Sequence, residues 1–169
     1  MNSIHEPQGG NAIVIGLFHA AIKTADLDIS LNFYKSVLGL KEIPRPDFDF
    51  PGAWLACSTP GAAAIIHLYA GGPALGAGNQ APSGSAAIDH VSLECSGFHA
   101  FRGRFQSAGI AWREQAVPGT TLWQLFVYDP SGVQFELTFE GAAEWGALPD
   151  MSPGRCYVAG TSFFEVPTL

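Results

Sequence analysis

The chain has 169 residues, 47% of them hydrophobic and 14% charged, with a formal net charge of −7 at pH 7. That length suffices for one compact domain with a real core or for two small fused modules. Its few Lys and Arg residues are scattered, and an acidic chain without a basic stripe is not expected to bind nucleic acid.

Cys57, Cys95 and Cys156 are far apart and never in Cys-x-x-Cys spacing. A disulfide framework and a structural zinc knuckle are therefore not expected, and each cysteine reads as a small buried hydrophobe. No basic region leads into a sustained apolar run at the N-terminus, and no stretch approaches a membrane span, so the expected location is cytoplasmic, without a membrane partner.

In chain order, the first element is the strand-like "GLFHAAIKTAD" (16–26). It leads into "LDISLNFYKSVLGL" (27–40), where Ile29, Phe33 and Val37 recur at helical spacing beside Leu31, Tyr34 and Leu38. Asp26 or Asp28 can open this helix and Gly39 can close it. Strands are expected around 40–44, 53–58 and 62–69. Residues 70–86, dense in Gly, Pro, Ser and Ala, read as a linker or lid.

A second strand, "AIDHVSLECSG" (87–97), precedes "FHAFRGRFQSAGI" (98–110), whose Phe98, Phe101, Phe105 and Ala108 form a helical stripe ending at Gly109. Strands then follow around 110–116, 122–128 and 133–139. The order β-α-β-β-β thus occurs twice, at an interval of about 70 residues, and "STPG" (58–61) matches "DPSG" (129–132) before each last strand. Residues 1–140 read as a single domain of two modules, about 16–70 and 87–140. Residues 141–169 form an extension, too apolar in Trp145, Tyr157, Phe163 and Phe164 to be left unpacked, which is expected to lie on the domain or on a partner subunit.

The repeat puts titratable residues at matching places. His19 and His90 fall on the first strand of each copy, and His67 and Glu136 on the last. Successive strand side chains point to opposite faces, and each of the four lies opposite its strand's apolar set. If helices cover the apolar faces, the four can share the concave side. Three imidazoles and one carboxylate make a donor set for a divalent metal ion. A single His on a strand is more often a hydrogen-bonded structural residue, so the matching of all four carries the expectation. His5 and His99 are expected to face solvent.

The segments "HAAIKTADLDISLNFYKSVLGL", "IDHVSLE" and "YDPSGVQFEL" resemble the vicinal oxygen chelate superfamily, over about residues 16–140. That superfamily includes glyoxalase I, methylmalonyl-CoA epimerase, extradiol dioxygenases, and the fosfomycin and bleomycin resistance proteins. The resemblance implies an α+β fold in which two tandem βαβββ modules form an open, barrel-like cleft. It also implies metal ligation by His19, His67, His90 and Glu136. In glyoxalase-like members the second of these positions is commonly Glu, and in epimerase-like members Gln; here it is His67.

The expected activity is that of a metal-dependent, glyoxalase-like enzyme acting on a small oxygen-chelating substrate. Its chemistry would be non-redox lyase, isomerase or epimerase chemistry through a metal-stabilised enolate. Glu136 would be the proton-moving group, with Glu94 a weaker candidate, and Zn, Ni, Co, Mn and Fe(II) all accept the donor set.

The alternative is extradiol ring cleavage, with His19, His90 and Glu136 as an Fe(II) triad and His67 as the acid–base residue. That signature asks for a Tyr where this chain has Phe126, and for a His in "VPGTT" (117–121), which has none. A metal-free drug- or metabolite-binding protein is a further alternative. Tyr69, Gln124, Phe126 and Tyr128 are candidate substrate contacts by strand parity. Trp54, Trp112 and Trp123 either line the pocket or fill the core, the core being the expected place for large aromatics, and a homodimer is expected.

Overall fold

A computed structural model of the chain describes residues 12–164. The first copy runs β1 (Ala20–Lys23), α1 (Leu27–Asn32), β2 (Lys41–Ile43), β3 (Gly52–Ala56) and β4 (Ala64–Tyr69). The second runs β5 (Val91–Cys95), α2 (Phe98–Ser107), β6 (Trp112–Ala116), β7 (Leu122–Tyr128) and β8 (Gln134–Glu140). Each copy forms one four-stranded mixed sheet, in the order β1-β4-β3-β2 and β5-β8-β7-β6. The repeat read from the sequence is thus a repeat of topology. Both sheets are open, so neither closes into a barrel.

In each sheet the first strand lies parallel to the last, a pairing that requires a crossover, here supplied by the helix. Asp26 starts α1 by accepting the Ile29 backbone N–H at 2.9 Å. After Asn32 the helix widens into a π turn over Phe33–Val37, and Leu38 N–H donates to Phe33 O. Gly39 ends it at φ 75°, and a Cβ there would meet the Arg104 guanidinium at 2.9 Å. α2 is capped from outside: both carboxylate oxygens of Glu144 accept backbone N–H groups, from Gly97 at 2.7 Å and from Phe98 at 2.9 Å.

The core is one cluster drawn from both modules, including Tyr34, Val37, Leu55, Ile66 and Leu68 from the first and Phe98, Phe105, Leu125, Phe135 and Leu137 from the second. Tyr34 joins the halves. Its hydroxyl donates to Asp129 Oδ2 at 2.6 Å, and its ring stands edge-on to Phe135. Asp129 Oδ1 also accepts the backbone N–H groups of Ser131 (2.9 Å) and Val133 (2.8 Å). Burial pushes both Tyr34 and Asp129 above their ordinary values, and the hydrogen bonds to Asp129 partly offset its rise.

Several expectations need correction. Cys57 is exposed, and Cys95 and Cys156 are only partly buried. Burial, followed by nearby thiol and carboxylate charge, pushes Cys95 up to about 12. His99 is only partly exposed. Its Nε2 is buried without a hydrogen-bond partner among the described residues, and its ring lies against Gly146 of the extension. Its packing depends on a distant segment, which local helical position does not reveal. His5 lies outside the described residues. Residues 70–86 contain two short 3-10 turns, at Gly72–Ala74 and Ala77–Asn79, and Ser83 Oγ and Gly84 N–H both donate to Ser131 O.

The segment after β8 pairs with the edge of the second sheet. Glu114 N–H donates to Arg155 O and Tyr157 N–H donates to Glu114 O, each at 2.9 Å, and Cys156 is bridged in parallel to Glu114. Fully buried, the Glu114 side chain accepts from Trp112 Nε1 (2.9 Å), Arg102 Nε (3.2 Å) and Asp150 N–H (2.8 Å). A buried carboxylate is tolerated only when so satisfied.

Candidate functional site

Strand register decides which side chains meet. In the first sheet His67 sits opposite Trp54 on β3 and beside Ala21 on β1. His19 precedes β1 directly, and its ring stacks on His67 with centroids 3.8 Å apart and planes 18° apart. Trp54 covers the other face of His67 at 4.4 Å and 12°. His67 is therefore held between His19 and Trp54. Burial, and secondarily the nearby His19, lowers its pKa below the usual histidine value, which favours neutral imidazole with a free lone pair. The Nδ1 atom of His19 is buried and has no hydrogen-bond partner among the described residues. A buried nitrogen of this kind suits a cation or a hydrogen-bond partner.

The second sheet builds its pair differently. Glu136 on β8 lies opposite Ser92 on β5 and Phe126 on β7. Its Oε1 accepts the Ser92 hydroxyl at 2.6 Å and the Thr138 hydroxyl at 2.7 Å. Its Oε2 lies 3.3 Å from His90 Nε2. The other His90 nitrogen, Nδ1, is 2.7 Å from Asp89 Oδ1. A carboxylate only accepts, so Asp89 places the ring proton on Nδ1. The His90 Nε2 lone pair and Glu136 Oε2 then face each other as two acceptors, and such a pair needs a shared proton or a metal ion between them. This donor chemistry fits a divalent cation.

The four candidate ligands thus form two pairs, one on each sheet. Among the described residues, no group of three His, Cys, Asp or Glu lies close enough to hold one ion. The modules join through their apolar, helix-bearing sides, so each polar face turns away from the common core. Parity fixes a face within one sheet; it cannot say how two sheets are set against each other.

Of the candidate substrate contacts, Phe126 packs edge-on to His90 at 5.8 Å. Gln124 follows two residues earlier on the same strand, opposite Thr138. Tyr69 packs against Phe50, which stacks on Phe48, and Phe48 reaches Trp54. Tyr128 is covered by the extension, in edge and tilted contact with Phe163 and Phe164, away from His90. Together with Phe33, Val37 and Ile110 these residues line a separate, mostly apolar cavity of about 430 Å³. Arg45 donates to the backbone carbonyls of Phe50 and Gly52, which occupies its guanidinium. Glu94 is exposed.

Of three further neighbours of the ligand pairs, Trp54 was expected in the core or on the pocket wall, and Asp89 and Tyr157 were not singled out in the sequence. Trp54 stands with the histidines and outside the core cluster. Asp89 was visible as the carboxylate beside His90. Tyr157 stacks face to face on Phe126, with centroids 3.5 Å and planes 7° apart, and no local signal points to it. Asp89 is held below the ordinary carboxylate value, first by its bond to His90 and then by the Tyr157 hydroxyl.

The comparisons with known proteins agree with this architecture. The family model described as Glyoxalase/Bleomycin resistance protein/Dioxygenase superfamily matches residues 16–137. A relative from Arabidopsis thaliana named Glyoxylase I 4 is 29% identical over 138 residues, covering 78% of this chain and 75% of the relative. Among solved structures, a glyoxylase/bleomycin resistance protein/dioxygenase domain from Frankia sp. EAN1pec aligns with a TM-score of 0.58 at 24% identity, covering 78% of this chain and 96% of that one. A mutant of the fosfomycin resistance protein FosX from Listeria monocytogenes, complexed with Mn(II) and a dihydroxypropylphosphonic acid, aligns with a TM-score of 0.53 at 17% identity. That alignment covers 74% of this chain and 92% of the FosX chain. With its doubled βαβββ topology and a family match spanning both copies, the chain belongs to the Glyoxalase/Bleomycin resistance protein/Dioxygenase superfamily.

Proposed function

We propose that the protein is a divalent-metal-dependent, glyoxalase-like enzyme that performs non-redox lyase, isomerase or epimerase chemistry on a small oxygen-chelating substrate. The observation that carries this reading is the facing pair His90 Nε2 and Glu136 Oε2, 3.3 Å apart, with the second nitrogen of His90 already committed to Asp89. The orphaned Nδ1 of His19 beside His67 supports it from the other sheet.

His19, His67, His90 and Glu136 would hold the ion, which when bound supplies an electrophile for a substrate oxygen. Glu136 is the proton-moving group: Ser92 and Thr138 anchor Oε1 and leave Oε2 directed into the site. Phe126 and Trp54 give each half of the site an apolar wall beside its ligands.

The pairs are completed in a homodimer, where the first sheet of one copy meets the second sheet of the other. Supporting this, Ile13, Val14, Ile15, Leu17 and Phe18, just before His19, are all at least 74% exposed. An apolar run of that length in contact with water marks an interface. Among the described residues, no helix is long and apolar enough to cross a membrane. Three free cysteines accord with a reducing, cytoplasmic setting.

Metal analysis of protein purified without added metal, on wild type and His67→Ala, tests the reading. Stoichiometric Zn, Ni, Co or Mn lost on removing His67 is the expected result. Fe(II) retained without His67, with oxygen uptake on catechols, would instead identify ring-cleaving chemistry. No divalent ion near stoichiometry in either protein would leave the metal-free binding role.

A further inference from the structure

We propose that Asp89 and Tyr157 are positioning residues that hold His90 as a metal-binding imidazole, so that the C-terminal segment forms part of the site. This rests on the metal-dependent reading above. Asp89 Oδ1 is the hub: His90 Nδ1 lies 2.7 Å from it, the Tyr157 hydroxyl donates to it at 3.1 Å, and Gln134 Nε2 approaches at 3.5 Å. Gln134 also donates to the Tyr157 oxygen at 3.3 Å.

Asp89 alone would be a weak brace. Its side chain is 57% exposed, and an exposed carboxylate moves freely and is well solvated. Tyr157 changes that. Its ring lies flat on Phe126, the residue that also packs against His90, and its hydroxyl fixes the carboxylate oxygen that faces Nδ1. A histidine ligand whose second nitrogen donates to a carboxylate is oriented and made a better donor.

The segment is built to deliver this phenol. The backbones of Arg155 and Tyr157 pair with the edge of β6 at Glu114, and the Arg155 guanidinium lies 3.9 Å over the Trp112 ring while donating to Trp112 O at 3.1 Å. The Glu114 side chain holds the same segment further back, at Asp150 N–H. Tyr157 itself lies beyond residue 137, where the family match ends, whereas Asp89 and Glu114 lie within it.

The test uses full-length wild type, Asp89→Ala, Asp89→Asn and Tyr157→Phe. Tyr157→Phe removes one oxygen and keeps the ring stack, and Asp89 is exposed, so the variants should fold. In metal-free protein, the His90 Nδ1–H resonance in proton–nitrogen spectra should be seen in wild type, broadened in Tyr157→Phe and lost in Asp89→Ala. In a Co(II) titration followed by visible absorption, affinity should fall about 10–100-fold in Asp89→Ala. It should fall less in Asp89→Asn, which keeps a neutral acceptor, and about 2–5-fold in Tyr157→Phe, where one hydrogen bond to the brace is lost. Identical resonances and cobalt spectra in all four proteins, with wild type binding cobalt, would overturn the brace alone. Failure of wild type to bind cobalt would overturn the metal-dependent reading and the brace with it.

Discussion

The two modules share a strand order and carry their candidate ligands at matching positions, yet they satisfy those ligands in opposite ways. In the first, His67 is clamped between rings, and the buried nitrogen of His19 has no partner among the described residues. In the second, Glu136 and His90 are held by Ser92, Thr138 and Asp89. One half is positioned by packing, the other by hydrogen bonds. A repeat preserves backbone geometry while leaving each copy free to solve side-chain satisfaction separately.

The largest contrast lies in the turns before the last strands. Asp129 in "DPSG" takes the Tyr34 hydroxyl and two backbone N–H groups, whereas Ser58 at the equivalent place in "STPG" makes one exposed bond, to Gly39 O. Asp129→Ala should destabilise the protein by about 3–5 kcal/mol in chemical unfolding, because it strands buried donors in both modules. Ser58→Ala should stay within about 0.5 kcal/mol. Equal losses would mean that the joint between the modules lies elsewhere.

Making the halves alike is the next test. His67→Glu would place a carboxylate between His19 and Trp54, where no hydroxyl plays the part of Ser92 and Thr138. The metal-free variant should lose roughly 2–3 kcal/mol, and added divalent metal should restore part of it. Thermal unfolding with and without metal reads both effects. A smaller loss, about 1 kcal/mol, is expected for Ser92→Ala, since Thr138 still donates to Glu136 Oε1. A Ser92→Ala loss as large as that of His67→Glu would show that the second half has no reserve of hydrogen bonds.

The features legible in the sequence are those with a local period. Phe33 and Val37 at helical spacing, and the alternation of Phe135, Leu137 and Phe139 around Glu136, announce a helix and a half-covered strand wherever the chain goes. Once the copies are aligned, parity places His67 and Glu136 on equivalent faces. The relation between the two faces is not legible, because it depends on how the modules pack through Tyr34 and Asp129. Tyr157 reaches Asp89 only because its own backbone and that of Arg155 pair with Glu114, far away in sequence. Glu114 did leave a trace: it sits between Trp112 and Ala116 on one strand face, and a carboxylate there implies buried partners.

The finest difference between the halves is electrical, and pH resolves it. Burial, and then the nearby His19, lowers the pKa of His67 from 6.5, so the folded protein takes up a proton at this site less readily than the unfolded chain. Stability rises with pH wherever the unfolded state binds more protons. The His67 contribution is therefore intact above about 6.5, is lost as pH falls from there through the lowered folded value, and is flat below it. Unfolding free energies measured between pH 7.5 and pH 5 on wild type and His67→Gln should diverge on the acid side, with wild type losing more. The difference isolates this site, since every other titrating group is common to both proteins. Parallel profiles would mean that the His19–His67 stack opens to solvent, and that packing does not hold the first half as hydrogen bonding holds the second.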